Sequence, residues 1–244
     1  MEQLSLVSVP EPNQPEGIDL RNCGIDELFD EVRGARMVFV DPPWTYSNSG
    51  DKTRSAASHY PCLTMDDIVR HVRSSYECAA DDAYMVVWAT FPLLAEWMAV
   101  ATPENIQWTY VTGGAWAKTG APGSGFHWRG NAEPILIYKK GKAKPCNTKL
   151  LRSTHVSEQH RGLGRRRGGE ALAHSEKPIG YQANMIEVWS NPGDLVLDVY
   201  AGLCSVGRAC QRTGRRYIGA EIDEVRYRSA VDRLVLDRSK NHGV

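Results

Sequence analysis

Apolar positions along this chain come in short, dense runs separated by polar stretches rich in glycine and proline. Six runs read as strands: "ARMVFVD" (Ala35 to Asp41), "YMVVWAT" (Tyr84 to Thr90), "QWTYVTGGAW" (Gln107 to Trp116), "AEPILIYKK" (Ala132 to Lys140), "DLVLDVY" (Asp194 to Tyr200) and "RRYIGAEID" (Arg215 to Asp223). Most are β-branched or aromatic and apolar at consecutive positions, as in a parallel sheet covered by helices. Between them the apolar spacing turns helical. Thr64 is a candidate N-cap for "MDDIVRHVRSSYECA", with Asp66 and Asp67 in the first turn where the helix dipole favours acids. "IGYQANMIEVWS" and "SVGRACQRTG" follow the same spacing, the second stopping at Gly214. Strands alternating with helices predict a doubly wound α/β sheet with helices on both faces.

The pattern also marks what lies outside the sheet. Residues 1–17, rich in Pro, Glu, Asn and Gln, read as a flexible tail, and 236–244 as a C-terminal tail. A single domain is expected over 18–235, with a long, basic, mobile loop inserted at 141–170. With 244 residues and 42% hydrophobic content, the chain can bury a sizeable core. No apolar run approaches the roughly 18 residues of a membrane span, and "MEQLSLVSVPEPNQPEGIDL" lacks the order of a signal peptide, so a cytoplasmic location is expected. The six cysteines are scattered without a C-x-x-C pair, which predicts free thiols and no structural metal. Net charge is zero, yet Lys139 to Lys177 holds eleven Lys and Arg against Glu158, Glu170 and Glu176. A local basic patch on a neutral body suits an enzyme that binds a polyanion.

Two strands end in unusual loops. In "LVLDVYAGLCSVGRA" an apolar run ends at Asp198 and turns through Tyr200, Ala201 and Gly202 into a helix near Ser205, the local plan by which α/β proteins approach a cofactor. About twenty residues on, Glu221 ends the next strand, in "YIGAEID", where an acid usually takes ribose hydroxyls. G-x-G-x-x-G is absent, Cys204 standing in place of the second glycine. A pyrophosphate therefore finds little room, and S-adenosylmethionine fits better than a dinucleotide. A generic strand-to-helix turn with a solvated Glu221 is the alternative.

The other loop follows "MVFV", where Asp41 is succeeded by Pro42, Pro43 and Trp44. The lone pair of a nucleobase amine is delocalised into the ring, so a catalyst should accept its hydrogens and favour a pyramidal nitrogen. A carboxylate and a backbone carbonyl fixed by proline supply two such acceptors, here Asp41 and the Pro42 carbonyl. Trp44 then offers a face for an extruded base. Asp-Pro-Pro is also a common turn, and a Trp beside it often only packs. If the two strands are neighbours where the strand order reverses, both loops face one crevice.

These residues resemble the N6-adenine methyltransferases with a DPPW signature, which include the messenger-RNA adenosine methylases and bacterial and phage DNA-modifying relatives. "HYPCLTMDDI", "GSGFHWRGNAEPILIYKKGK", "HSEKP" and "LDVYAG" resemble further elements of that family, over about Gly17 to Asp223. The resemblance implies a Rossmann-like methyltransferase fold, S-adenosylmethionine as cofactor and a nucleic-acid substrate; the compact chain, with no appended RNA-binding module, points to DNA rather than RNA. It places Asp41, Pro42, Pro43 and Trp44 in catalysis; Asp19 and Leu20 at the cofactor's adenine; Lys177 between cofactor and target base; and Glu221 and Ile222 at the ribose. Tyr46 and Asn48 fall in a stretch that shapes the family's base pocket. On charge alone, Arg161, Arg165, Arg166 and Arg167 are assigned to phosphates.

Other readings stay open: an RNA adenosine methylase, a homodimer, or a partner subunit on the same fold that has lost the chemistry. Such a subunit is expected to lack the signature acids, and Asp41 and Glu221 both stand. Pro61-Cys62 and Pro145-Cys146 are the dipeptide of cytosine-carbon methyltransferases, but neither follows the strand facing the cofactor loop. His71 reads as a surface or packing residue.

Overall fold

The computed structural model describes residues 14–45, 63–119, 127–150, 152–158 and 176–241. Eight strands form one sheet: β1 (Ile18–Arg21), β2 (Ala35–Val40), β3 (Ala79–Trp88), β4 (Thr109–Thr119), β5 (Ala132–Lys140), β6 (Thr154–Glu158), β7 (Leu195–Asp198) and β8 (Arg216–Ala220). Their order is β1-β8-β7-β2-β3-β5-β4-β6. The first five in that order run parallel, whereas β5 is antiparallel to both β3 and β4. The sheet is thus mixed, not wholly parallel as its apolar runs suggested. Continuous apolarity reports two covered faces and says nothing of direction.

Alternate residues of each central strand feed two cores. Met37, Phe39, Val86 and Trp88 pack with Met185 and Ile186 of α5 (Ile179–Trp189), Val206 of α6 (Ser205–Thr213), and Val231 and Leu234 of α7 (Glu224–Asn241). Val38, Val40, Met85 and Val87 pack on the other face with Leu28 of α1 (Ile25–Glu31), Ile68 and Val72 of α2 (Met65–Cys78), Trp97 of α3 (Phe91–Val100) and Ile106 of α4 (Pro103–Ile106). Burying each such large side chain contributes about 1.5–3 kcal/mol before entropy is counted. Among the described residues no helix is long and apolar enough to cross a membrane.

Local signals set several boundaries. Thr64 caps α2 reciprocally: its hydroxyl accepts from Asp67 N at 3.1 Å, and the Asp67 carboxylate accepts from Thr64 N at 3.2 Å. α6 stops at Gly214, whose φ of 70° is the left-handed cap that glycine adopts freely.

Three expectations about the periphery change. The segment read as a C-terminal tail from 236 is helical through Asn241, because Asp237 is anchored by Arg208 at 2.9 Å and Arg212 at 3.1 Å. The end of the N-terminal tail is pinned: Gln14 brackets Leu20, its amide donating to the backbone carbonyl at 2.6 Å and accepting from the backbone N–H at 2.7 Å. The front of the segment read as a loop at 141–170 contains β6, an edge strand against β4 whose polar "THVSE" carries little apolar signal. The rest of that segment, from 159, lies outside the described residues.

β4 and β6 approach each other closely at Gly114. A Cβ there would stand 2.3 Å from the Ser153 carbonyl oxygen, and that carbonyl already accepts from Ala115 N at 2.8 Å. Backbone cannot swing aside as a side chain does. Gly114→Ala is therefore expected to lower stability by about 1–3 kcal/mol, read as a lower urea midpoint at unchanged slope.

Candidate active site

β2 and β7 lie side by side where the strand order reverses, with Phe39 opposite Asp198 and Val199 N donating to Phe39 O at 3.0 Å. Their carboxyl ends open into one cavity of about 490 Å³, within the usual size of a ligand site. One wall is Asp41 to Trp44, and the other is Asp198 to Leu203 with Glu221 and Ile222 from the end of β8. The two loops picked out in the sequence do meet.

The Asp41 carboxylate is held by a buried cation. Lys177, 6% exposed and just before α5, places its ammonium 2.6 Å from Asp41 Oδ2 and 3.2 Å from Glu133 Oε2 of β5. Lys118 of β4 pairs with the other oxygen of Glu133. Two carboxylates and two ammoniums thus alternate along a chain that ends at the cavity. Burial pushes the Asp41 carboxyl above its ordinary pKa against the pull of Lys177. Glu133, where burial is outweighed by two ammoniums, is held below the usual range. Burial opposes the charge on Lys177, but the two carboxylates override it and keep the ammonium protonated well above its ordinary range.

The Asp-Pro-Pro-Trp backbone is tightly turned. Trp44 N donates to Pro42 O at 2.8 Å, which uses one lone pair of that carbonyl and leaves the second. Trp44 itself is buried, its indole N–H donating to Trp88 O at 3.1 Å and its ring lying edge-on to Trp97 at 5.8 Å. It forms a fixed wall of the cavity, not a swinging side chain.

The second loop is equally constrained. Cys204 takes the left-handed conformation, φ 59°, as a glycine would, and is fully buried. Its sulfur would lie 2.3 Å from a Cβ added at Gly207, so the thiol points into the core and away from the cleft. Asp198 is buried and accepts from Tyr217 Oη at 3.2 Å; burial, opposed by that bond and reinforced by Asp41, pushes its pKa up to about 7. Glu221 is pushed up to about 7 chiefly by burial, although it accepts from Asp223 N at 2.8 Å.

The residues present fit a cationic nucleoside cofactor such as S-adenosylmethionine. Among the described residues Trp88 Nε1, Thr90 Oγ1 and Gln182 Oε1 are buried without a hydrogen-bond partner, and all three residues line this cavity. Orphaned polar atoms of this kind imply a polar ligand. Asp198 and Glu221 would supply carboxylates for the cation and the ribose hydroxyls.

Of the residues singled out from sequence, Asp41, Pro42, Pro43, Trp44, Lys177, Asp198, Tyr200, Ala201, Gly202, Glu221 and Ile222 line the cavity together. Asp19 and Leu20 do not: Asp19 pairs with Arg21 at 2.8 Å, and Leu20 faces the core. The turn after β1, Cys23 to Asp26, forms that wall instead. Tyr46, Asn48, Arg161, Arg165, Arg166 and Arg167 lie outside the described residues. His71 is no surface residue: it is buried, lines the cavity and bonds Tyr200 Oη through Nδ1 at 2.8 Å. Arg70 can only donate to Nε2, at 2.9 Å, so Nδ1 carries the proton and donates to Tyr200. Glu133 stood in a recognised stretch without a role, and its conjunction with Lys118 carried no sequence signal.

Such a cleft, with a fixed acceptor group facing a nucleoside site across a reversal of strand order, defines a class of α/β transferases. The profile of a DNA methylase family, named for N6 and N4 methyl transfer, matches residues 35–232, and the chain belongs to that family. The type II methyltransferase M.HhaII of Haemophilus parahaemolyticus is 24% identical over 222 residues, 88% of this chain and 91% of that protein. The DNA adenine methyltransferase YhdJ of Escherichia coli is 37% identical over 60 residues, 25% of this chain and 20% of YhdJ. The fold is shared with the solved complex of M1.HpyAVI with S-adenosylmethionine: TM-score 0.67, 19% identity, 89% of this chain and 98% of that one.

Removing the shared cation tests the electrostatics. Lys177→Met leaves Asp41 and Glu133 without their common ammonium and is expected to cost about 2–3 kcal/mol at pH 7. That is less than for a fully enclosed pair, because Asp41 is 34% exposed. Glu133 titrates below its ordinary value, so its contribution is present above that value and lost as pH falls through the lowered one. The gap between wild type and variant, measured by urea unfolding, should therefore narrow from pH 7 to pH 4.

Proposed function

We propose that this protein transfers a methyl group from S-adenosylmethionine to the 6-amino group of an adenine turned out of a DNA duplex. The observation that carries the reading is the Asp41 carboxylate, fixed beside the Pro42 carbonyl and opening into the same cavity as the cofactor loop. When bound, the cofactor supplies an activated methyl on a sulfonium. The protein's task is then alignment and acceptance of hydrogen bonds, with no covalent intermediate. Asp41 and the free lone pair of the Pro42 carbonyl accept the two amino hydrogens, so the nitrogen lone pair leaves the ring and points at the methyl carbon. The N–C bond forms as the S–C bond breaks, the sulfur keeps the electron pair, and the nitrogen sheds a proton to Asp41 or solvent.

Lys177 holds Asp41 in place from behind, and the Trp44 ring forms the wall on which an extruded base stacks, a contact worth about 1–3 kcal/mol. The basic segment 141–170, with Arg161, Arg165, Arg166 and Arg167, supplies phosphate contacts. Adenine is favoured over cytosine by the Asp-Pro-Pro-Trp signature and by the likeness to YhdJ.

The test is incubation with isotopically labelled S-adenosylmethionine and unmethylated genomic DNA, followed by nucleoside digestion and mass spectrometry. Labelled 6-methyladenine is expected; 4-methylcytosine would move the target base, and no methylated nucleoside despite cofactor binding would overturn the reading. Asp41→Ala should cut transfer at least about 100-fold while retaining cofactor binding.

A further inference from the structure

The ion chain behind Asp41 extends one residue further than the proposed chemistry requires. Lys118 and Trp116 lie on one face of β4, and Trp116 is directly opposite Glu133 of β5. Lys118 is therefore the diagonal neighbour of Glu133 and reaches its carboxylate. Its stem crosses the Trp116 ring, with Nζ 4.7 Å from the ring centre, and its backbone N–H donates to Asn131 O at 2.6 Å. Trp116 is held in turn, its indole N–H meeting Ser157 Oγ of β6 at 2.9 Å. These contacts hold the side chain in place and bring a cation to the Glu133 oxygen that Lys177 does not take.

We propose that Lys118 is a positioning residue for methyl transfer. By holding Glu133 it fixes how Lys177 is divided between Glu133 and Asp41, and so keeps Asp41 anionic and aimed at the substrate amine. This rests on the catalytic reading of Asp41 given above. The argument is one of charge parity in a poorly solvated site. With Lys118 present, Glu133 and Asp41 face Lys118 and Lys177, two against two; Asp198 is the further acid within electrostatic reach of Asp41. Without Lys118, two carboxylates share one ammonium, and one of them takes up a proton. Burial already raises the Asp41 carboxyl against the pull of Lys177, so once Glu133 draws that ammonium toward itself the proton falls on Asp41. A protonated Asp41 has lost an acceptor lone pair at the moment the amine needs it.

The experiment compares Lys118→Met, Lys118→Arg and the double variant Lys118→Met/Glu133→Gln with wild type. It measures kcat and KM across pH 5.5–9, together with urea stability. Asp41 acts unprotonated, so activity is lost as pH falls through its pKa. Loss of Lys118 raises that pKa and moves the acid limb of kcat upward. Lys118→Met should lose about tenfold in kcat at pH 7, recover at high pH, and keep its KM for S-adenosylmethionine within about twofold. Lys118→Arg should retain the wild-type limb. The double variant returns Asp41 and Lys177 to one against one and should move the limb back.

An unshifted limb in Lys118→Met, or a rate loss equal at every pH, would overturn the proposal. If Lys118→Met does not fold, a double variant that folds but keeps a displaced limb would overturn it too. Failure of the underlying reading looks different: wild type makes no methylated base, or Asp41→Ala remains active.

Discussion

An ammonium group buried behind a strand end is the constraint on which the active site depends. Lys177 cannot remain charged in that position without carboxylates around it, and those come from Asp41 at the end of β2 and Glu133 on β5. β2, β5 and the segment entering α5 are thereby tied at one point. The pairing of β2 with β7 brings the cofactor loop to the same point. The polar centre is enclosed by aromatic side chains, with the Trp88 ring 5.1 Å from Lys177 Nζ and Trp44 fixed against Trp88 and Trp97. Little freedom is left to Asp41, which is what a group acting by alignment requires.

The cofactor wall obeys a different rule. There, among the described residues, no buried cation pairs with the carboxylates of Asp198 and Glu221, and burial drives both pKa values up to about 7. Gln182 Oε1, buried on this side and without a hydrogen-bond partner among the described residues, points to the same incompleteness. One half of the cleft is electrostatically closed within the protein, and the other is built to be completed by a positively charged ligand.

Much of this was legible in the sequence. Asp41, Asp198 and Glu221 each end an apolar run, and a polar side chain at a strand terminus is a local signal. The sheet's overall plan and the meeting of the two loops followed from strand–helix alternation and from strand-order reversal. Asp19 and Leu20 were misplaced because the resemblance located the right strand, whereas the wall is made by the turn after it. His71 proved to be the packing residue of the two readings left open, and its bond to Tyr200 carried no local signal because the two lie 129 positions apart. Lys118 and Glu133 escaped for the same reason. Their contact exists through antiparallel pairing of β4 and β5, and the short apolar runs did not reveal that β5 reverses direction. Charges that act through cross-strand geometry carry no spacing rule in one dimension.

The most direct test of the account is a crystal structure of the protein with a non-reactive cofactor analogue and a DNA duplex containing its target site. The account predicts an extruded adenine against Trp44, with its 6-amino nitrogen about 2.7–3.2 Å from both an Asp41 carboxylate oxygen and the Pro42 carbonyl, and Lys177 still bound to Asp41 and Glu133. A target base whose amine meets neither acceptor, or a Lys177 swung away to leave Asp41 unpaired, would contradict it.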